Sequence, residues 1–491
     1  MKPTDEQEAI LALVQTTTDN LIINADAGTG KTSTLKLIDK VGPEPILYLA
    51  FNKRVVEEAE ADREAAEEDP EVLAFSDTTK ISTFHSLCYG VWREAIGLKL
   101  VLKKLKNADM LREVIFSRPQ RHRGAAFEEF SDITSAMALA KNLGYIPDGK
   151  FLNGHPLCNA DQLEARLDTK LTTLGWELLD EALTSSIASA YEGIVDYDDQ
   201  VYMPALFGGT FPVHPLVVVD ERQDLNPCNN AVLHKFHSSR IVAVGDDGQS
   251  IYAFRGAIPG GMEVHRQEFS ATQADLHVSF RCPEAIVRAV HWHKPQMRWV
   301  KEGGHAARVL NPNPNIFNSG GDGSSAVICR NNAPLFRLAL QLLSAGHSVN
   351  VHGSDVGPKI LGIMRKLGPE EMNRVSTMSA IDNWLSERLE KQSTTANDMA
   401  ECMRVFARRG STLGNALAYA ESLFKQQGTI QLLTGHKAKG LEWDTVFHLD
   451  PDLCRDDEQD RNLRYVITTR AKDTLYEIDS RNIRWPNADT Y

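Results

Sequence analysis

Short apolar runs alternate with longer polar and amphipathic stretches along most of the chain. Such runs predict buried strands when turn formers bound them. We predict strands at Leu21–Asn24, Ile46–Ala50, Leu216–Val219, Ile241–Val244, Ala326–Cys329, Ser348–His352, Thr429–Leu433 and Thr445–Leu449, and the start of another at Ile81–Thr83. Helical stretches such as Lys31–Lys40 separate the strands, and this alternation predicts parallel sheets covered by helices.

Two stretches lack strand signals and are interpreted as mainly helical insertions. Because single cores stop growing near ~250–300 residues, we expect two α/β sheet domains, each interrupted once. The predicted first domain covers residues 1–90 and 192–275 with its insertion at 91–191, and the second covers 276–354 and 426–491 with its insertion at 355–425. The turn-forming segment from Asn311 to Ser325 is expected to be a flexible loop.

Composition indicates a soluble globular protein, with 42% hydrophobic and 24% charged residues among 491. No apolar run approaches the ~18 residues that span a bilayer, and the N-terminus lacks a signal-peptide core. We therefore expect a cytoplasmic protein without a membrane partner, nucleoid-associated if bacterial. The seven cysteines are scattered without a CxxC pair, which argues against a zinc module or a disulfide framework.

The net charge of -13 disfavours DNA binding by general electrostatics, but it leaves room for a local basic track. Much of the acid lies in one run, Glu57–Glu71, which we interpret as a solvated helix face.

A glycine-rich segment, ADAGTGKT, follows the first predicted strand and opens a predicted helix. Backbone N–H groups of such a loop cradle phosphates, and its glycines let the backbone approach the ligand. Lys31 would reach the β- and γ-phosphates, and the Thr32 hydroxyl would hold Mg²⁺. The predicted nucleotide-binding residues are Ala25, Asp26, Ala27, Gly28, Thr29, Gly30, Lys31 and Thr32, although Ala25 stands where the strict pattern has glycine.

Two acidic residues end a later apolar strand, in the segment VVVDERQD. A carboxylate at the carboxyl end of a buried strand is how nucleotide-binding sheets hold Mg²⁺. Asp220 would bind the metal, and Glu221 could polarise the attacking water as general base.

The segment Gly245–Ala257 follows another apolar strand. Gln249 could sense a γ-phosphate, and Tyr252 and Phe254 would lie on one face of an extended segment. Exposed aromatic rings stack on bases for ~1–3 kcal/mol each. The alternative is that both rings are core residues.

Together these segments resemble the UvrD/Rep family of superfamily 1 DNA helicases, from end to end. The further segments that carry the resemblance are Thr4–Gln7, Ala50–Lys53, Thr83–Ser86, Ser279–Cys282, Leu433–Phe447 and Leu463–Lys472. The resemblance implies two RecA-like domains with ATP between them. It makes Gln7 the adenine reader and Phe280 its stacking partner, and it places Gly440 and Glu442 at the nucleotide.

The resemblance also assigns Arg281 and Arg470 to the γ-phosphate as arginine fingers, which act when the domains close. It implies DNA contacts by Phe51, Asn52, Thr83, His85, Tyr252, Phe254, Arg255, His436 and Lys439. The expected function is an ATP-dependent DNA helicase that translocates on single-stranded DNA, 3′→5′ by resemblance, in repair, recombination or replication. The expected cofactors are ATP and Mg²⁺, the partners are single strands and duplex junctions, and the expected state is a monomer.

Two alternatives stay open. One is a translocase that displaces bound proteins with little unwinding, which shares every motif with a helicase. The other is a nucleotide-switched binding module without catalysis, against which the intact Lys31, Glu221, Arg281 and Arg470 argue.

Within the family the chain looks closest to the F-box DNA helicase branch, but it shows no F-box, so a ubiquitin-ligase partnership is not expected. Arg222 replaces the usual alanine of DEAQD, and Phe254 stands where tryptophan is common. The second insertion is shorter than that of the best-known members.

Overall fold

The structure, a computed structural model, describes residues 3–69, 71–148, 151, 153–318, 325–352, 356–393 and 395–485. It divides into two compact units, the first made of residues 1–25 and 30–276 and the second of residues 26–29 and 277–491. Of the loop predicted at 311–325, residues 314–318 form a 3₁₀ helix, and residues 319–324 lie outside the described part.

The first unit is built on a sheet of parallel strands. The strands of this unit are β1 (Leu21–Ala25), β2 (Ile46–Ala50), β3 (Lys80–Thr83), β4 (Val101–Leu102), β5 (Ile194–Val195), β6 (Leu216–Val219), β7 (Arg240–Gly245) and β8 (Thr272–Leu276). Strands β4 and β5 pair with each other in a separate small sheet. The main sheet has six strands in the order β3-β2-β6-β7-β1-β8, and each neighbouring pair is parallel. Parallel strands covered on both faces are apolar throughout, and every residue of β2 and β6 is buried.

The helices of this unit flank the sheet and form the first insertion. They are α1 (Asp5–Thr16), α2 (Lys31–Val41), α3 (Lys53–Glu68), α4 (Phe84–Ile96), α5 (Lys106–Ser117), α6 (Gln120–Glu128), α7 (Phe130–Leu143), α8 (Ala160–Glu164), α9 (Thr173–Tyr191), α10 (Tyr197–Phe207), α11 (Pro227–His234) and α12 (Gly261–Glu268). Helix α4 runs continuously across the domain boundary predicted at residues 90 and 91.

Alternate residues of a strand point to opposite faces of the sheet, and each face has its own apolar core. On one face, Tyr48 belongs to a cluster with Ile10 of α1. On the other face, Leu49 and Val219 belong to one cluster with Met137 of α7 and with residues of α5 and α9. The helical insertion therefore shares its core with the sheet.

The second unit repeats the parallel architecture. Its strands are β9 (Val278–Ser279), β10 (Arg298–Trp299), β11 (His305–Val309), β12 (Ser325–Cys329), β13 (Val349–Val351), β14 (Ile430–Thr434), β15 (Trp443–Leu449) and β16 (Ala471–Ile478). Six of them pair in the order β11-β16-β15-β12-β14-β13, again all parallel. Its helices are α13 (Glu284–Val290), α14 (Asn332–Ser344), α15 (Val356–Met364), α16 (Arg374–Glu390), α17 (Ala396–Arg409), α18 (Leu413–Phe424), α19 (Gly435–Ala438) and α20 (Glu458–Thr468).

The predicted α/β class with two RecA-like parallel sheets and mainly helical insertions is confirmed. The bounds of the predicted strands agree with the observed ones to within two residues, and they differ where they do because apolar runs mark burial and not the last hydrogen bond. All seven cysteines are free thiols, five of them buried and two half-buried. Among the described residues, no helix is both long enough and apolar enough to cross a membrane.

Candidate functional site

A glycine-rich loop connects β1 to α2 at the carboxyl edge of the first sheet. Gly28 and Gly30 have φ of 74° and 79°, in the left-handed region that glycine adopts without steric cost. Gly30 stands at the N-cap of α2 and has no side chain to cap it. The first N–H groups of a helix lack intrahelical acceptors, so this end of α2 suits an anionic ligand.

A pair of carboxylates follows β6 at the same edge of the sheet. Asp220 accepts the Glu221 backbone N–H at Oδ1 (2.8 Å) and the Tyr48 hydroxyl at Oδ2 (3.0 Å). The Lys31 ammonium lies 3.3 Å from Glu221 Oε2. The structure thus brings together Lys31, Asp220 and Glu221, as the two segments predict.

The backbone of Glu221 is strained. Its φ of 49° and ψ of 46° lie in the left-handed region, which costs a non-glycine residue ~1–3 kcal/mol. The surrounding contacts hold this conformation, because Asp220 accepts its N–H while Lys31 and Gln223 donate to its carboxylate. Strain of this kind concentrates where a side chain must be aimed at a ligand.

Burial and mutual repulsion control the charges of this cluster. Burial, and then the neighbouring Glu221, raise the pKa of Asp220 to about 6, although Lys31 opposes the shift. Burial alone would lower the pKa of Lys31, but Glu221, Asp246 and Asp220 together raise it, so the ammonium stays charged. Burial and Asp220 raise the pKa of the Tyr48 hydroxyl well above its usual value, so it remains a donor.

Sequence reasoning missed three residues of this cluster: Tyr48, Gln223 and Asp246. Gln223 donates to Glu221 and accepts the Asp246 N–H at 2.9 Å, so it links the ends of β6 and β7. Asp246 follows the apolar strand β7 just as Asp220 follows β6, and that signal could have found it. Tyr48 lies inside an apolar run and gave no signal.

The predicted sensor Gln249 lies beside the same cluster. Its side-chain amide donates to Asp246 Oδ2 at 2.9 Å, and the residue is buried in a 3₁₀ turn after β7. Thr32, predicted to hold metal, is the exposed second residue of α2. Gln7 is buried, closes a capping box with Thr4 and donates from Nε2 to Thr34 of α2 at 3.0 Å.

Residues 26–29 of the loop pack within the second unit. Asp26 is one of the predicted nucleotide-binding residues, and its carboxylate lies 2.8 Å from His277 Nδ1 and 3.2 Å from the Lys294 ammonium. The Ala27 N–H donates to the Tyr465 hydroxyl at 2.8 Å. In this conformation the Asp26 carboxylate and the Ala27 N–H are therefore both engaged by groups of the second unit.

The segment that resembles the adenine-stacking motif lies against this part of the loop. The Phe280 N–H donates to the Gly28 carbonyl at 2.8 Å. A Cβ on Gly28 would come within 2.5 Å of the Arg281 Cβ, so glycine is needed for this approach. The Arg281 guanidinium pairs with Glu442 at 2.6 Å and is partly exposed. Arg281 and Glu442, both predicted at the nucleotide, therefore adjoin each other.

Arg470, the other predicted arginine finger, is buried inside the second unit. Its Nε donates to the Val466 carbonyl at 2.9 Å, and another guanidinium nitrogen donates to the Leu441 carbonyl at 3.3 Å. These bonds hold its side chain against the turn that contains Gly440, whose φ is 82°.

Comparisons with known proteins agree with this geometry. Residues 6–255 match the family described as an AAA domain, and residues 429–476 match the UvrD-like helicase C-terminal domain. The chain belongs to the UvrD/Rep family of superfamily 1 helicases.

The curated relatives are longer than this family member. It is 25% identical to F-box DNA helicase protein 1 of Schizosaccharomyces pombe over 97% of this chain and 57% of the relative. It is 26% identical to F-box DNA helicase 1 of Gallus gallus over 97% of this chain and 49% of the relative. DNA helicase IV of Escherichia coli is 24% identical over 53% of this chain and 43% of the relative. The chain spans about half the length of the F-box relatives.

Arg222, where this chain departs from the usual DEAQD, points into the protein beneath the carboxylate pair. Its side chain is buried, and it donates to His265 Nδ1 (2.9 Å) and to Asn230 Oδ1 (2.7 Å). Burial lowers the pKa of Arg222 to about 10 and, together with Arg222, lowers that of His265 to about 2. The arginine thus ties the segment after β6 to α11 and α12.

Three predicted DNA-contact aromatics and an arginine lie together in the first unit, two of them half-buried and two exposed. We call this group the aromatic cluster: the half-buried Phe51 and Tyr252, and the exposed Phe254 and Arg255. The ring centroids of Phe51 and Tyr252 lie 6.3 Å apart with nearly parallel planes, and those of Tyr252 and Phe254 lie 6.1 Å apart. The Arg255 guanidinium lies 5.1 Å from the Tyr252 centroid. Phe254 is 61% exposed, so the core alternative is wrong for that ring.

The extended conformation predicted for the segment of Tyr252 and Phe254 is wrong. Residues Ala253–Arg255 form a 3₁₀ helix, and Gly256 ends it with φ 90°. Turn hydrogen bonds within the segment compete with the extended form. The two-residue spacing of Tyr252 and Phe254, on which the prediction depended, does not reveal such bonds.

The other predicted DNA contacts lie at or near helix ends. Asn52 caps α3 by accepting the Val55 N–H, and Thr83 caps α4 by accepting the Ser86 N–H. His85 is exposed in the first turn of α4. Helix N-termini attract phosphates, so these positions suit a nucleic-acid backbone. His436 and Lys439 are half-buried, in α19 and directly after it.

Proposed function

We propose that this protein is an ATP-dependent DNA helicase that translocates along single-stranded DNA. The observation that carries the proposal is the cluster of Lys31, Asp220 and Glu221 beside a glycine-rich loop. A lysine and an acidic pair at this position are the parts that nucleotide hydrolysis by phosphoryl transfer requires. The 3′→5′ direction and service in repair, recombination or replication are proposed from family resemblance alone.

In the proposed reaction, Lys31 neutralises charge on the β- and γ-phosphates, and backbone N–H groups of the loop and α2 orient them. Glu221 accepts a hydrogen bond from the attacking water and takes its proton as the water oxygen bonds to the γ-phosphorus. The bond from that phosphorus to the β,γ-bridging oxygen breaks in the same step, and ADP leaves with the electron pair. Gln223 and Lys31 hold the Glu221 carboxylate in place for this step. By resemblance, Arg281 and Arg470 stay assigned to the terminal phosphate.

Mg²⁺ fits the residues at the end of β6. Proteins commonly bind this ion through one or two carboxylates together with substrate phosphates. Asp220 offers a buried carboxylate, and burial first and then the neighbouring Glu221 raise its pKa, while Lys31 opposes the shift. Asp220 and Thr32 would hold the ion, which would neutralise phosphate charge.

The aromatic cluster is the proposed grip on DNA. Stacking of a base on an exposed ring is worth ~1–3 kcal/mol and does not depend on sequence, which suits a protein that moves along a strand. Opening one base-pair step costs on average ~1.4 kcal/mol, so a grip of this strength is comparable to the work per step. The proposed partners are single strands and duplex junctions, bound by a monomer.

The deciding experiment measures ATP hydrolysis without nucleic acid, with single-stranded DNA and with single-stranded RNA. We expect strong stimulation by DNA and weak stimulation by RNA. Displacement of a labelled strand from a partial duplex, run beside displacement of streptavidin from a biotinylated end, separates a helicase from a protein-displacing translocase. An ATPase indifferent to DNA would overturn the proposal.

Metal binding should depend on pH through Asp220. Its pKa is raised to about 6, so the carboxylate is protonated below that pH and must lose a proton to bind cation. We expect the apparent Mg²⁺ affinity with a non-hydrolysable ATP analogue to fall about tenfold for each pH unit below about 6, and to level off above about 7. Calorimetric titration measures it.

The matched control for this titration is Asp220→Asn, which should bind Mg²⁺ weakly at every pH. A midpoint near the ordinary aspartate value of about 4 would contradict the raised pKa.

A further inference from the structure

The turn that carries Tyr252, Phe254 and Arg255 of the aromatic cluster is hydrogen-bonded to the helical insertion. Residues 252–257 form this turn, closed by the Arg255 and Gly256 N–H groups donating to the Tyr252 and Ala253 carbonyls. Phe254 projects outward, whereas Ala257 is buried. A short turn of this kind has few contacts of its own, so its orientation depends on the groups that donate hydrogen bonds to its carbonyls.

Arg166, just beyond α8 in the helical insertion, reaches the back of this turn. Its guanidinium donates to the Ala253 carbonyl at 2.9 Å and to the Ala257 carbonyl at 3.3 Å. The two acceptors bracket Phe254 and Arg255. Within the described part of the chain, these are the hydrogen-bond acceptors of the Arg166 side chain.

The end of α7 supports the same turn. Gly256 has φ 90°, and a Cβ placed on it would lie 3.3 Å from Leu143 and 3.6 Å from Asn142. Asn142 also accepts a hydrogen bond at 2.6 Å from Asn226, the cap of α11 that follows the carboxylate segment. The insertion thus touches both the aromatic turn and the chain leading from the candidate catalytic acids.

We propose that Arg166 is a positioning residue for single-strand binding, which orients the turn so that Phe254 and Arg255 face the bases. The proposal rests on the proposed function for its ligand. On this proposal the first insertion contributes to DNA binding, although Arg166 itself need not contact DNA. Charged donors make the stronger hydrogen bonds to carbonyls, which suits a clamp on a turn with exposed rings.

The test compares four proteins: unsubstituted, Arg166→Ala, Phe254→Ala and the double variant. Binding of a fluorescent oligothymidylate and the DNA concentration for half-maximal ATPase are measured. Loss of one stacked base weakens binding about 5- to 150-fold, and Arg166→Ala should lose a part of this, about fivefold. In Arg166→Ala, ATP turnover without DNA should be unchanged. The variant Arg166→Lys, which keeps a positive charge, should bind DNA better than Arg166→Ala.

The double variant decides whether Arg166 acts through Phe254. If it does, Arg166→Ala weakens binding less in the Phe254→Ala background than in the unsubstituted protein, because part of the interaction that Arg166 orients has already been removed. Full additivity would overturn the proposal. The matched control is Arg123→Ala, which removes a guanidinium that clamps the carbonyls of Phe116 and Arg118 elsewhere in the insertion. Equal weakening by Arg123→Ala would also overturn it.

Hydrogen exchange of residues 252–257 separates this proposal from the proposed function. Arg166→Ala should speed exchange there and leave the core strands protected, whether or not the protein binds DNA. If exchange rises in Arg166→Ala but the unsubstituted protein binds no single-stranded DNA, the proposed function fails. The structural role of Arg166 in holding the turn is then still supported. If exchange is unchanged, Arg166 does not hold the turn.

Discussion

Replacing Lys31 with alanine should lower DNA-stimulated ATP hydrolysis by about 10²–10³-fold or more, the range for removing one donor that stabilises transition-state charge in an oxyanion hole. The substitution removes the cation that faces Glu221 at 3.3 Å and offsets the charge on Asp220. The pKa of Asp220 should then rise further, which also weakens metal binding near neutral pH. Steady-state phosphate release at saturating single-stranded DNA measures the effect.

The matched control for Lys31→Ala is Lys36→Ala. Lys36 lies on the same helix and is buried, but it pairs with Asp62 and not with the carboxylates after β6. The control should keep activity close to that of the unsubstituted protein. Substantial turnover in Lys31→Ala, or equal loss in both variants, would contradict the assigned site.

Replacing Glu221 with glutamine should lower turnover by ~10²–10⁴-fold, the usual contribution of a general base, while ATP still binds. The amide keeps the size of the side chain, but it accepts no proton from water. Removing the charge beside Asp220 should also lower the pKa of that carboxyl, because Glu221 is one cause of its rise. A fluorescent ATP analogue measures binding, and single-turnover hydrolysis measures the chemical step.

The control for Glu221→Gln is Asp450→Asn in the second unit. Asp450 also follows an apolar strand and has φ 48°, and its carboxylate accepts from Ser480. If Asp450→Asn slows hydrolysis as much, the loss reflects disturbance of a strand end and not removal of a base. Weak ATP binding by Glu221→Gln would likewise count against the assigned role.

The sequence predicted most strands of the two six-stranded sheets, all but β8, β11 and β16, and the cluster around Lys31, because these depend on local patterns. A strand buried on both faces must be apolar along its length, so β2 and β6 are visible as runs. The loop before Lys31 needs glycine where φ is positive, and the acids must follow a strand end. Each requirement involves neighbours in sequence.

The contacts that sequence patterns failed to predict join distant segments. The Tyr48 hydroxyl and Asp220 are 172 positions apart, and Arg166 and Ala253 are 87 apart. An arginine that donates to main-chain carbonyls needs no matching side chain, so it leaves no pattern at the acceptor. Asp26 was assigned by its place in the loop, and its carboxylate turned to His277 and Lys294, which no local rule specifies.

The core that the first sheet shares with its insertion limits how this chain can be re-engineered. Leu49 and Val219 are buried in the same apolar cluster as Met137 and its neighbours on α5 and α9. Excising residues 106–191 would expose one face of the first sheet to water. A foreign segment grafted there would pack well only if its side chains matched the volumes left behind. Accessory regions of this chain are therefore better exchanged together with the strands beneath them.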